Sequence, residues 1–206
     1  MHPLAGFTAA LLLITLSELG DKTFFIGVIL ATRHPRRWVF LGVTAALFLM
    51  TVLSVLIGQV ATLLPQAIVQ GITVALFLGF GLKLLYDAYR MAGTTLDDEQ
   101  TEALEAVEQR EQGVKTWTNG AVVMEAFSLT FVAEWGDRTQ LATIALAAVH
   151  HPVGVVLGAT LGHAICAAIA VACGKLIAGR ISERLVTALS GVLFIIFGVV
   201  AAMEMR

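Results

Sequence analysis

Six apolar runs, each at least about the 20 residues a helix needs to cross a hydrocarbon layer, dictate the fold of this chain. They cover roughly residues 4–32, 38–60, 66–90, 120–149, 152–178 and 182–204. Turn chemistry separates them at Arg33-His34-Pro35-Arg36-Arg37, at Pro65, at His150-His151-Pro152 and around residues 179–184. A soluble domain of this size would need a polar outer surface. With 58% hydrophobic and only 14% charged residues, the chain lacks the material for one. The expected fold class is an all-α membrane protein of six transmembrane helices, embedded in the lipid bilayer. The first run has no basic segment before it and no small-x-small cleavage site, so it reads as a retained span and not as a secretory signal. Cys166 and Cys173 are seven residues apart in one apolar run. On a helix they stand two turns apart, too far to pair, and read as small packing residues. The net charge of −2 gives no sign of a nucleic-acid partner.

Basic residues near span ends stay on the cytoplasmic side. Arg33, Arg36, Arg37, Lys83, Arg90, Arg110, Lys115, Lys175, Arg180 and Arg184 all fall at alternate connections, and Arg206 alone falls at the other side. This places both termini outside.

The two halves repeat. At an offset of 116 or 117, LGVTAAL (41–47) aligns with LGATLGH (157–163), LFLGFG (76–81) with LFIIFG (193–198), and Asp87 with Glu204. The expected organisation is a three-helix repeat over 1–90, an acidic linker over 91–119, and a second three-helix repeat over 120–206. Three is odd, so the second copy enters from the opposite face and the repeats are inverted, an architecture that builds transport sites at the midplane. The linker stretch 97–111 holds seven of the fifteen carboxylates, with Glu99, Glu102, Glu105 and Glu108 spaced by three. Helical, it gives an acidic stripe beside Leu104 and Val107, read as a solvated linker or as a surface that concentrates cations.

Charge returns inside the apolar runs at two matched places, SELGDKTFF (17–25) and AEWGDRTQL (133–141). Glu18 and Glu134 fall near the centres of the first and fourth runs. A charge at the midplane costs at least about 2.5–3.5 kcal/mol, so these groups should face the bundle interior and have partners. On a continuous helix Glu18 with Asp21, and Glu134 with Asp137, share a face. Inverted copies crossing at the midplane would bring all four together. Gly20 and Gly136 would let the backbones approach and would weaken the helix there. Ser17, Thr23, Thr139 and Gln140 add neutral oxygens. Such a cage suits hard divalent ions. A purely structural alternative pairs Glu18 with Lys22, and Glu134 with Arg138, as i,i+4 ion pairs, but leaves Asp21 and Asp137 unexplained. Four carboxylates against Lys22 and Arg138 leave −2, which one divalent ion or two protons would neutralise.

ELGDKT and EWGDRT resemble the doubled Glu-x-Gly-Asp-(Lys/Arg)-(Ser/Thr) signature of uncharacterised protein family 0016, the transmembrane protein 165 family, with Golgi, thylakoid and bacterial members. Span count, repeat layout and acidic linker extend the resemblance over the whole chain. It implies a secondary transporter that exports Mn²⁺ or Ca²⁺ from the cytosol in exchange for protons, with the metal as cargo and no resident cofactor. It also implies functional positions at Glu18, Gly20, Asp21, Lys22 and Thr23, and at Glu134, Gly136, Asp137, Arg138 and Thr139. The absence of an organellar targeting extension suggests a bacterial cytoplasmic membrane. Two other readings stay open: an exporter of another small substrate such as an amino acid, and an intramembrane carboxylate hydrolase, for which no nucleophile–base set is evident. No phosphate-cradling loop supports ATP-driven pumping.

Two further polar residues lie in the runs. Glu125, about 13 Å along a helix from Glu134, reads as an entry ligand or a snorkelling carboxylate. His163 aligns with Leu47, has Cys166 one turn on, and reads as a satisfied interior histidine or a proton relay.

Overall fold

The computed structural model describes residues 3–91, 97–111, 117–177 and 183–204, and among these every regular element is a helix. Four helices are long and apolar enough to cross a membrane alone: α3 (Arg36–Ala61), α4 (Gln66–Arg90), α8 (Pro152–Ile177) and α9 (Glu183–Glu204). The expected first span is instead two helices, α1 (Pro3–Glu18) and α2 (Lys22–Arg33), which qualify together as a fifth span bent by 64°. The expected fourth span is likewise divided, into α6 (Asn119–Ala133) and α7 (Arg138–Val149). At 1.5 Å per residue α6 rises only about 22 Å, short of a hydrocarbon core of about 30 Å. Hydropathy saw one run in each place because the apolar residues continue on both sides of the charges.

The packing between halves is reciprocal. α1 lies on α8 and α6 on α3; α2 also touches α8 as α7 touches α3; and α4 packs on α9. Glycines make the close crossings. A Cβ at Gly42 in α3 would strike the carbonyl oxygen of Val123 in α6, and one at Gly158 in α8 would strike that of Phe7 in α1. Both glycines and both partners are related by the offset of 116. Between α4 and α9, Gly81 meets Ile195 while Gly198 meets Leu78, an exchange at an offset of 117.

One end of the molecule is marked by α5 (Asp97–Glu111). Ala103 and Val107, one turn apart, are fully buried in a cluster with Phe24, Ile26, Leu30 and Val122. Lys22 bonds Glu102 at 3.0 Å, and Arg33 pairs with Glu108 and Glu111. The linker helix is therefore docked on α2 by one face, Ala103 and Val107, while Leu104 and the acidic positions Glu102, Glu105 and Glu108 stay exposed. Arg36 donates to the Ala172 carbonyl at 3.4 Å, which brings the start of α3 and the last turns of α8 to this end. At the opposite end Gly6 of α1 adjoins His150 and His151, Gln59 donates to the Ala147 carbonyl at 2.7 Å, and Glu204 of α9 shares a cavity with His150.

A second apolar cluster, including Leu13, Ile14, Val55, Phe77, Leu146 and Phe194, fills that far half. Along α1, α3 and α8 the residues Ser17, Glu18, Thr51, Ser54 and His163 fall between the two clusters. A buried polar layer thus lies at mid-height.

Candidate functional site

The polar layer is built from two helix breaks with the same backbone. Glu18 is the last residue of α1 and Asp21 the N-cap of α2; Glu134 is the C-cap of α6 and Asp137 the N-cap of α7. In each break the N-cap N–H donates to the glutamate carbonyl at 3.3 Å, and its own carbonyl accepts from Phe25 or Leu141 at 3.2 Å. Gly20 and Gly136 lie between, at φ +81° and +83°, a left-handed conformation that strains any residue with a Cβ. Added side chains there would meet nothing within 4 Å. The glycines therefore serve to turn the chain, not to let two backbones touch. The acids of each motif do not share a helical face; they flank a break.

The breaks converge. Carboxylate oxygens of Glu18, Asp21 and Glu134 lie within 4.8 Å of one another, and Glu18 and Glu134 are only 2% and 3% exposed. Thr23 donates its hydroxyl to Glu18 Oε2 at 3.2 Å, and Thr139 stands 3.3 Å from Glu134 Oε2 in the equivalent place. The helix N-termini of α2 and α7 point their positive ends at this charge.

The two aspartates differ, and of the four carboxylates expected to converge, three do so within 4.8 Å. Asp137 caps α7, accepting from the N–H groups of Thr139 at 3.1 Å and Gln140 at 2.7 Å and from the Thr139 hydroxyl at 2.9 Å, and it stands outside the cluster of three. Asp21 makes no side-chain cap; its Oδ1 accepts from Arg138 Nη2 of the other break at 2.7 Å. The i,i+4 ion pairs do not form, since Arg138 crosses to Asp21 and Lys22 turns away to Glu102. The charge balance changes members but not value: three carboxylates against Arg138 again leave −2. Gln140 lines a small cavity beside Glu134 and Thr139, and its Oε1 accepts the Gly136 N–H at 2.7 Å.

His163 joins the site. Its Nδ1 lies 3.8 Å from Glu18 Oε1, and among the described residues neither atom has a hydrogen-bond partner. Ser17 is buried, and its hydroxyl likewise has no partner among the described residues. Glu125 does not reach this group and sits instead with His34 and Glu111. Of the cysteines, Cys166 is free and buried and donates to the Thr15 carbonyl; the side chain of Cys173 lies outside the described residues. Thr51, Ser54 and Thr143 also line a small cavity beside Glu134 and His163, of about 10 Å³, about the room of one water. Sequence reading passed over them, although a polar pair three apart in apolar α3 marks an inward face.

A cavity of about 390 Å³ opens on the site from the α5 end, lined by Asp21, Lys83, Asp87, Asp137 and Arg138 among others. At the far end a cavity of about 230 Å³ is lined by Thr73, Phe77, His150 and Glu204 and touches no motif residue. Around His150, outside the spans, burial lowers the imidazole's affinity for a proton.

Broken helices that hold three carboxylates at mid-height, Glu18 and Glu134 buried and Asp21 half-buried, with a cavity leading to them from one end, define a multi-pass membrane transporter of cations. The family model for the divalent cation/proton antiporter GDT1 matches residues 6–92 and 122–206, and the chain belongs to this family of transporters; it is not an enzyme. It is 57% identical over 199 residues to a GDT1-like protein of Synechocystis sp., covering 96% of this chain and 97% of the relative. GDT1-like protein 5 of Arabidopsis thaliana is 42% identical over 95% of this chain and 94% of its own length, and GDT1-like protein 3 of Oryza sativa subsp. indica is 40% identical over 93% and 71%. No solved structure matches.

Proposed function

We propose that Glu18, Asp21 and Glu134, supported by Thr23, Thr139, Arg138 and His163, bind one divalent cation at the membrane midplane and exchange it for protons. The observation that carries this reading is the approach of three carboxylates from two separate breaks to within 4.8 Å. A residual −2 is neutralised equally by one divalent ion or two protons, so the two compete for the same groups. Mn²⁺ is the preferred cargo and Ca²⁺ the second, because the imidazole nitrogen of His163 beside Glu18 is a donor that transition metals use and Ca²⁺ does not. Asp137 acts by holding α7 and not as a ligand in this state.

The chain is read as two inverted repeats over 1–90 and 120–206 joined by the 91–119 linker. The reciprocal glycine contacts at the 116 and 117 offsets support this reading. The α5 end, where the basic connections gather, is the cytoplasmic one, so cation enters from the cytosol and leaves on the side of the termini. A bacterial cytoplasmic membrane suits this orientation.

Metal uptake into proteoliposomes, with Mn²⁺, Ca²⁺ and Mg²⁺ in competition and a pH dye in the lumen, tests the proposal. Glu18→Gln and Glu134→Gln should each abolish most Mn²⁺ flux together with its proton countermovement. Flux that survives both changes would remove the site.

A further inference from the structure

A second group of metal-ligating side chains stands at the α5 end, apart from the breaks. His34, which ends α2, places Nε2 2.9 Å from Glu111 Oε1 at the end of α5 and 3.6 Å from Glu125 Oε2 in α6. One ligand atom from each of the three lies within 4.8 Å of the others. Glu125 is 4% exposed, and among the described residues neither of its carboxylate oxygens has a hydrogen-bond partner. A buried carboxylate left without a donor carries the desolvation penalty of a charged group. Arg33 gives it no hydrogen bond, because that guanidinium is engaged by Glu108 and Glu111. Its bond to Glu111 Oε2 leaves Oε1 turned to His34, while the Trp117 ring packs on the imidazole with centroids 4.8 Å apart. The three groups are thus held in place by neighbours that do not themselves satisfy Glu125.

We propose that His34, Glu111 and Glu125 form a second divalent-cation site, for a transition-metal ion such as Mn²⁺ or Zn²⁺ and not for Ca²⁺ or Mg²⁺. Two carboxylates balance the ion's charge. A neutral imidazole supplies a nitrogen donor that Ca²⁺ and Mg²⁺ use poorly, and water completes the coordination. The site cannot share an ion with the breaks: Glu125 is nine residues before Glu134, about 13 Å along α6, and His34 is a full α2 length from Asp21, about 18 Å or more. Its ligands come from α2, α5 and α6, so a bound ion pins the linker helix to both broken-helix units at the mouth through which cation enters. The site stands on its own geometry, whatever the central carboxylates carry.

The test uses the full chain in detergent with Trp38→Phe and Trp135→Phe, which leaves Trp117 as the sole fluorophore beside His34. Co²⁺ should quench Trp117 saturably, and Zn²⁺ and Mn²⁺ should reverse the quenching while Ca²⁺ at the same concentrations does not. Glu125→Gln and His34→Gln should each weaken Co²⁺ binding at least about tenfold, whereas Glu18→Gln should leave it unchanged even if it ends transport. Quenching unaffected by Glu125→Gln, or reversed as well by Ca²⁺, overturns the proposal. Melting curves guard against misfolding. Without metal, Glu125→Gln should melt at or above the wild-type temperature, since it removes an unpaired buried charge, and only the wild type should gain stability from Zn²⁺. A wild type that melts higher than Glu125→Gln in chelator and ignores Zn²⁺ would mark a closed ion triad of protonated His34 with its two carboxylates, and would overturn the site.

Discussion

Gly20 and Gly136 occupy open space at positive φ, which separates two explanations of a glycine that composition cannot tell apart. If backbone conformation is the requirement, Gly20→Ala should lower stability by about 1–2 kcal/mol, and Gly20→Asn should lower it less because asparagine tolerates the left-handed region. Melting temperatures in detergent should then rank glycine above asparagine above alanine. A ranking by side-chain size, with alanine harmless, would point back to a close contact. The acids obey a different logic. Glu18 and Glu134 come from residues 116 apart in sequence but face one cluster, so their effects should not add. The double change Glu18→Gln with Glu134→Gln should reduce Mn²⁺ flux little more than either single change; multiplicative losses in the double would indicate two independent sites.

The ends of the apolar runs and the approach of the two motifs could be read from hydropathy and repetition alone. The breaks could not, although their chemistry was present: Gly20 followed by Asp21, and Gly136 followed by Asp137, are a helix stop and an N-cap in succession. The apolar residues on both sides outweighed that signal, and the i,i+3 spacing then suggested a shared face that no helix provides. The linker misled in a similar way. Its carboxylates at a spacing of three drew attention to an acidic stripe, while Ala103 and Val107, the apolar pair one turn apart, were the docking face. Glu111 and His34 meet only because α5 folds back on α2, a contact across 77 residues that no local pattern announces. Docking itself is testable. Burial of a valine contributes about 1.5–3 kcal/mol, and an aspartate at that place adds an unpaired buried charge. Val107→Asp should therefore expose the 97–111 segment to limited proteolysis, while Leu104→Asp, on the exposed side of the same helix, should leave it protected. Equal cleavage of both variants would mean that α5 rests on its ion pairs alone.

At the scale of the whole molecule the two breaks share a backbone but not a set of partners, and that asymmetry bears on how the site changes sides. Asp137 caps α7 and Asp21 holds Arg138, while Lys22, the counterpart of Arg138, is held by Glu102 of α5. If the repeats are inverted as proposed, exchanging their roles would generate the opposite-facing arrangement: Asp21 would cap α2, Asp137 would hold Lys22, and Arg138 would be released. The cavity at the α5 end would close as the one beside Thr73 and Glu204 extends to the carboxylates. In this scheme the Lys22–Glu102 pair must break at each cycle, so it biases the protein toward the state open at the α5 end. The bias is modest, since Glu102 is largely exposed and such pairs contribute up to about 1 kcal/mol; that still corresponds to a shift of up to about fivefold in populations. Glu102→Gln should therefore raise thiol labelling of Thr73→Cys, in the far cavity, and lower that of Thr187→Cys, in the cavity beside Asp21 and Arg138, in a background without Cys166 and Cys173. Asp137→Asn, which keeps an oxygen for the cap but loses the charge that would receive Lys22, should shift labelling the other way. Labelling of both cysteines that ignores both changes would show that the charged partners of the two breaks do not govern which side is open.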